Sequence, residues 1–185
     1  MGQIIMKLRL SYSLLSTWQR GEIDRAVQMY FRIQAPSTPQ LDDGRAIHKE
    51  ISQHILTFKK LPEYMPQIPL NDPKPDYEVV VPYNDLFDLK GVYDCLDDDT
   101  VHEFKTGVMS SVDYANMDQI PFYFLIDEMT ENQLQQAYLI HYNQYLKKND
   151  FVKIWKSQRL INKAKNLVDS VGPEIYAHFQ KEGLV

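Results

Sequence analysis

A chain of 185 residues, 44% hydrophobic and 24% charged, has enough material for one well-buried core and an ordinary polar surface. Its one cysteine, Cys95, excludes an internal disulfide, a four-cysteine zinc site and a four-cysteine iron–sulfur cluster, and reads as a small buried side chain. The formal charge of −5 weighs against a nucleic-acid binder, and no apolar run approaches the ~18 residues of a membrane span.

At the start, the apolar patch Ile4-Ile5-Met6 is cut short by Lys7 and Arg9, with no signal-peptide core or cleavage site. Met6 stands where a myristoylation signal wants Ser or Thr, so the expectation is an intracellular (cytoplasmic) protein with no membrane partner. Ser13 reads as the cap of a short helix from Leu14, and residues 22–31 as a second helix. Asp42 and Asp43 precede a third, in which Ile47, Ile51 and Ile55 recur at helical spacing. Residues 61–75 carry Pro62, Pro66, Pro69, Pro73 and Pro75 and read as an irregular connection, since proline fits neither a helix interior nor a central strand.

The period then changes to two. Residues 77–83, 87–96 and 101–106 read as three successive strands. A helix over 118–127 follows, then a strand over 136–142. A fifth strand over 151–155 follows a turn at Lys148-Asn149-Asp150, and a helix over 157–180 closes the chain, broken or kinked near Gly172-Pro173. No repeat or linker divides the sequence, so one domain over 1–185 is expected, an α/β (α+β) sandwich with a mixed sheet flanked by helices.

Charge is segregated along this plan. Lys147, Lys148, Lys153, Lys156, Arg159, Lys163 and Lys165 face only Asp150 in the same stretch, whereas acids gather at Asp97-Asp98-Asp99 and Asp127-Glu128. The basic stretch reads either as a solvated helix face or as a local face for a phosphate backbone. The three aspartates read as a solvated turn.

The segment richest in chemistry runs from Gly91 to Gly107. With Asp98-Asp99 as a two-residue turn, Leu96 faces Val101, Cys95 faces His102 and Asp94 faces Glu103. Alternation puts Glu103 and Lys105 on one face and His102 on the other, so Asp94, Glu103 and Lys105 are expected to converge on one patch. Opposed carboxylates repel unless a cation sits between them, and a hard divalent ion takes oxygen ligands. A lysine beside such a cation can hold or polarise an attacking water. The same residues also read as an exposed hairpin kept soluble by a Glu-x-Lys pair.

Gly91-x-x-Asp94 followed by Glu103-Phe104-Lys105-Thr106-Gly107 resembles the nuclease core of RecB-like (Cas4/RecB-type) PD-(D/E)XK enzymes, without the iron–sulfur cysteines. Gly44-x-x-x-His48 is similar to the upstream motif of that group, Gln119-x-x-x-Tyr123 to the downstream one, and Leu10-Ser11-Tyr12-Ser13 to its Ser-rich start. The resemblance implies a restriction-endonuclease-like core and a Mg²⁺- or Mn²⁺-dependent deoxyribonuclease, an exonuclease or end-processing enzyme of repair, recombination or mobile-element biology. It implies metal ligation by Asp94, Glu103, His48 and the Phe104 carbonyl, a water-positioning Lys105, and Gln119 and Tyr123 facing the site. DNA, single- or double-stranded, is the implied partner, together with a protein such as a helicase or recombination factor. Two other readings stand beside it: a non-catalytic DNA-binding subunit and a sequence-specific endonuclease on the same fold. The superfamily's proline before the catalytic aspartate is replaced by Tyr93, and Pro121 requires the Gln119 helix to start near Asp118 or to kink.

Overall fold

The structure is a computed structural model that describes residues 7–33, 38–130 and 133–185. The leader and acylation readings at Met1–Met6 lie outside these residues. A short strand, β1 (Leu8–Ser11), comes first and was not expected from the sequence; four residues are too few to display a period. Helix α1 (Tyr12–Gln19) is capped by Ser11, whose hydroxyl accepts the Leu14 N–H at 3.3 Å, and not by Ser13. Helix α2 (Ile23–Tyr30) follows. Helix α3 (Pro39–Phe58) starts three residues before Asp42, because Thr38 caps it and Pro39 fits its first turn.

Strand β2 (Pro73–Pro82) takes in the last two prolines of the connection expected to be irregular. It pairs only with β3 (Phe87–Asp97), so it is an edge strand and has an unpaired side on which a missing N–H costs nothing. Strand β4 (Thr100–Lys105) returns through the turn at Asp98-Asp99, with Asp98 in the left-handed region at φ 49°. The turn is not wholly solvated: Asp97 is buried, and its carboxylate accepts the N–H groups of Asn71 and Asp72. The short α4 (Ser111–Ala115) is an addition, and α5 (Gln119–Glu128) carries Pro121 inside its first turn. Strands β5 (Gln136–Asn143) and β6 (Lys148–Trp155) form a hairpin whose turn lies at 144–147, earlier than Lys148-Asn149-Asp150. Helix α6 (Gln158–Lys181) runs through Gly172-Pro173 as one element.

The sheet is mixed, with β1 and β5 parallel to their neighbours β3 and β4. The larger core joins α1, α5 and α6 to one face through residues such as Leu10, Phe87, Phe122, Phe124 and Val168. A smaller core on α3 gathers Ile51, Ile55, Cys95, Phe104 and Ile140. None of the described helices is long and apolar enough to cross a membrane.

The pairings of β3 position the site. β2 pairs with β3 from Asp88 to Asp97, β1 pairs with Phe87–Lys90, and β4 pairs with Cys95–Asp97. Because the β2 pairing overlaps both others, β1 and β4 must share the opposite edge of β3. Between them, residues 91–94 have no strand on that edge. The sheet therefore splits beside Asp94. The pleat also changes there, since Tyr93 packs into the larger core and Cys95, two residues on, into the smaller.

Candidate active site

The hairpin register is as expected at Leu96↔Val101 and Cys95↔His102, but the ladder stops one pair short of Asp94 and Glu103. With the strands parted, the Asp94 carboxylate fills the gap and accepts the Phe104 N–H at 2.7 Å. An N–H and C=O of one residue leave a strand on the same edge, so the Phe104 carbonyl also faces the opening. His48 of α3 approaches Asp94 from one side, Nδ1 to Oδ1 at 3.6 Å.

Glu103 is met from α5. Its Oε1 accepts Lys105 Nζ at 2.7 Å and Gln119 Nε2 at 2.6 Å, and its Oε2 lies 3.2 Å from the Tyr123 hydroxyl, which donates to the nearer Val92 carbonyl. Gln119 Oε1 in turn accepts Lys105 Nζ at 2.8 Å. The Tyr123 hydroxyl also lies 2.7 Å from the Val92 carbonyl, one of the groups left without a strand partner. Pro121 is what lets Gln119 and Tyr123 do this: it sets the helix start, and the two side chains, four apart, stack on one side. The Tyr123→Phe variant should lose about 1–2 kcal/mol of stability, because the part-buried Val92 carbonyl loses its donor; urea unfolding measures this.

Electrostatics follow from burial. Glu103 is 2% exposed. Burial and then Asp94 push its carboxyl up to about 7, with Lys105 opposing. Burial disfavours the Lys105 ammonium, but Glu103 and Asp94 outweigh it and raise Lys105 above its ordinary value. Burial likewise opposes a charged His48, and Asp94 more than compensates. Lys105 is thus a held cation that donates; it has no free pair with which to take a proton.

The glycines of the motifs have packing reasons. A Cβ on Gly91 would stand 2.9 Å from Ile126 Cδ1 and 3.1 Å from Tyr93 Cε1, so the side chains packed where α5 meets β3 would have to shift. A Cβ on Gly44 would stand 3.2 Å from Thr106 Oγ1, where α3 crosses the end of β4 and delivers His48.

Of the residues singled out by sequence, Asp94, His48 and Phe104 meet on one side of the split, and Glu103, Lys105, Gln119 and Tyr123 on the other. Among the described residues no three acidic, His or Cys side chains are grouped as a metal cage. Glu103 has turned both oxygens toward Lys105, Gln119 and Tyr123, which leaves Asp94 Oδ1 beside His48.

Sequence reasoning missed the basic groups. A cavity of about 660 Å³ opens beside Asp94, lined by Lys7, Arg9, Ser11, Arg32, Lys90 and Gln119 among others. Arg9 and Lys90 lie on strands whose register, Ser11↔Lys90, puts them on the sheet face of Asp94. Alternation of Lys7 and Arg9 was the available signal, hidden by the shortness of β1. The stretch from Lys147 to Lys165, by contrast, is split between β6 and α6, and within it Lys156 binds Asp127 while Lys163 binds Asp118. A second cavity, about 840 Å³, lies on the α3 side against His48, Gly44, Thr106 and Tyr145.

This is a restriction-endonuclease-like fold, an α+β core with a central mixed sheet flanked by helices. Three solved structures share it. The alkaline exonuclease LHK-Exo of Laribacter hongkongensis superposes with a TM-score of 0.56 at 11% identity, over 95% of this chain and 91% of its own. Its complex with dAMP gives 0.57 at 12% identity, over 93% and 90%. Protein SSO0001 gives 0.57 at 11% identity, over 92% and 78%. No family model and no curated protein matches the sequence.

Proposed function

We propose that this chain, as one domain over residues 1–185, is a divalent-cation-dependent deoxyribonuclease of the RecB-like PD-(D/E)XK kind, acting at DNA ends. The observation that carries the reading is the placement of Asp94, Glu103 and Lys105 at the split in the sheet, with a basic cavity alongside. The exonuclease name of a protein with the same fold points the same way.

The donor set suits a hard cation. Two carboxylates held near each other in a buried place disfavour each other's charge, as the raised Glu103 carboxyl records, and a cation between them removes that cost. Asp94 Oδ1, Glu103, the Phe104 carbonyl and His48 would hold Mg²⁺ or Mn²⁺, with the imidazole favouring Mn²⁺. The ion would supply the charge that draws in and polarises a phosphate. Glu103 would have to turn from its present partners to join this set, and Asp94 would keep the Phe104 N–H on Oδ2. Lys105 orients the attacking water and offsets charge developing on the phosphate oxygens. Gln119 holds the Lys105 ammonium in place, and Arg9 and Arg32 bind the backbone beyond the scissile bond. Such an enzyme belongs with DNA repair, recombination or mobile elements, beside a helicase or recombination factor that brings DNA to an acidic protein.

Calorimetric titration of Mn²⁺ tests the ligand set. Asp94→Ala should weaken binding about tenfold or more. Equal affinity in wild type and variant would remove Asp94 from the site. Linear but not circular substrates should be degraded, single- and double-stranded forms being compared.

A further inference from the structure

The sheet's far edge carries a surface that the catalytic reading does not use. β6 borders the sheet, and its register with β5 places Tyr138 opposite Lys153 and Ile140 opposite Phe151. These residues and Trp155 therefore share one face. Further along, that face is covered where α3 packs on Ile140 and Phe104. Tyr138 is half-buried at the margin of that cover, its ring stacked on His102 at 5.5 Å, while on β6 Trp155 is 62% exposed and Phe151 48% exposed. Lys153 Nζ lies 4.0 Å from the Trp155 ring centre and 5.4 Å from that of Tyr138. Tyr138 and Phe151 meet edge to face at 5.8 Å.

Two exposed rings, Phe151 and Trp155, with a lysine between them on an edge strand are costly to leave in water, and rings with an ammonium are what a nucleic-acid strand needs. In a chain of net charge −5, β5 and β6 put no acidic residue on this face. The one acid of β6, Asp150, points to the other face, bonded to His141 and Ser111. Phe151 and Trp155 are four residues apart on β6, about 13 Å along the strand. That is several times the 3.4 Å rise of a base within a duplex strand, so the two rings suit separate, splayed bases and not a stacked pair. A paired duplex has no free base faces to offer.

We propose that Phe151, Lys153 and Trp155 form a docking site for unpaired, single-stranded DNA, apart from the Asp94–Glu103 centre. Bases stack on the rings, and Lys153 contacts phosphate. The choice of DNA rests on the nuclease reading, but the test reads binding alone.

The test uses the whole protein in chelator, so that nothing is cut, and a thymidine oligonucleotide of about 12 nucleotides. Trp18 is 8% exposed, so emission quenched by a bound base is that of Trp155. The single strand should quench it, and a duplex of the same length should not. Trp155→Ala should weaken binding, followed by fluorescence anisotropy, about tenfold or more, and Trp155→Phe should retain most of it. Lys153→Ala should lower the salt slope by about one. All three variants change exposed side chains, and circular dichroism checks that they fold. Binding undiminished in Trp155→Ala, or no quenching by the single strand, overturns the proposal. So does a wild-type dimer in sedimentation that Trp155→Ala dissolves, which makes the face a self-interface. A protein that quenches and binds as stated but never cuts DNA keeps this site and loses the nuclease reading. One that cuts DNA with no effect of Trp155→Ala on binding does the reverse.

Discussion

Lys105→Ala should lower the rate of DNA cleavage about 10²–10³-fold, the scale of losing one preorganised donor to developing charge. The lysine lies 2.7 Å from Glu103 Oε1 and 2.8 Å from Gln119 Oε1, so its ammonium is fixed before substrate arrives. Cation affinity should behave oppositely. Removing a positive charge beside Glu103 removes a repulsion, so Mn²⁺ binding should be held or increased. That contrast separates a role in the reaction from collapse of the site. Lys105→Arg should not rescue cleavage, because a planar fork cannot replace a compact ammonium between Glu103 and Gln119. Parallel loss of cleavage and Mn²⁺ binding in Lys105→Ala would point to a structural lysine instead.

Lys156→Met should destabilise the fold by about 3–5 kcal/mol, the cost of leaving a buried charge without its partner. Asp127, in the last turn of α5, has a fully buried side chain that pairs with Lys156 and accepts the Leu134 N–H at 3.2 Å from each oxygen. Lys156 directly follows β6, and so the pair ties α5, the helix of Gln119 and Tyr123, to the sheet. For a domain of this size the melting temperature should fall by roughly 10 °C. Adding Asp127→Leu should recover only part, since Leu134 then lacks an acceptor, and the two changes should not add. A loss under about 1 kcal/mol would mean that the pair behaves as a solvated surface pair.

The central hairpin was legible because its turn and alternation fix the register: Cys95↔His102 follows from counting back from Asp98-Asp99. The convergence of Asp94 with Glu103 was legible as proximity only. Simple pairing puts them on one patch, whereas the structure parts the strands there and gives Asp94 to His48 and Phe104, and Glu103 to α5. The split depends on β1 and β4 dividing one edge of β3, and no local pattern encodes which strands share an edge. Gly91 and Gly44 were legible as motif letters, but their reason, close approach of Ile126 and Thr106, is tertiary. The prolines misled at Pro73 and Pro75, since whether a strand lies at an edge is likewise tertiary. The basic cavity stayed hidden because Lys7, Arg9, Arg32 and Lys90 are far apart in sequence and meet only through β1, α2 and β3.

The most direct test is incubation of end-labelled DNA, single- and double-stranded, linear and circular, with the wild-type protein and Mg²⁺ or Mn²⁺, then with excess chelator. The structure predicts cutting of linear DNA that stops on chelation. No cutting of any of these substrates with either cation, or cutting that persists in chelator, would contradict a cation-dependent nuclease built on Asp94, Glu103 and Lys105.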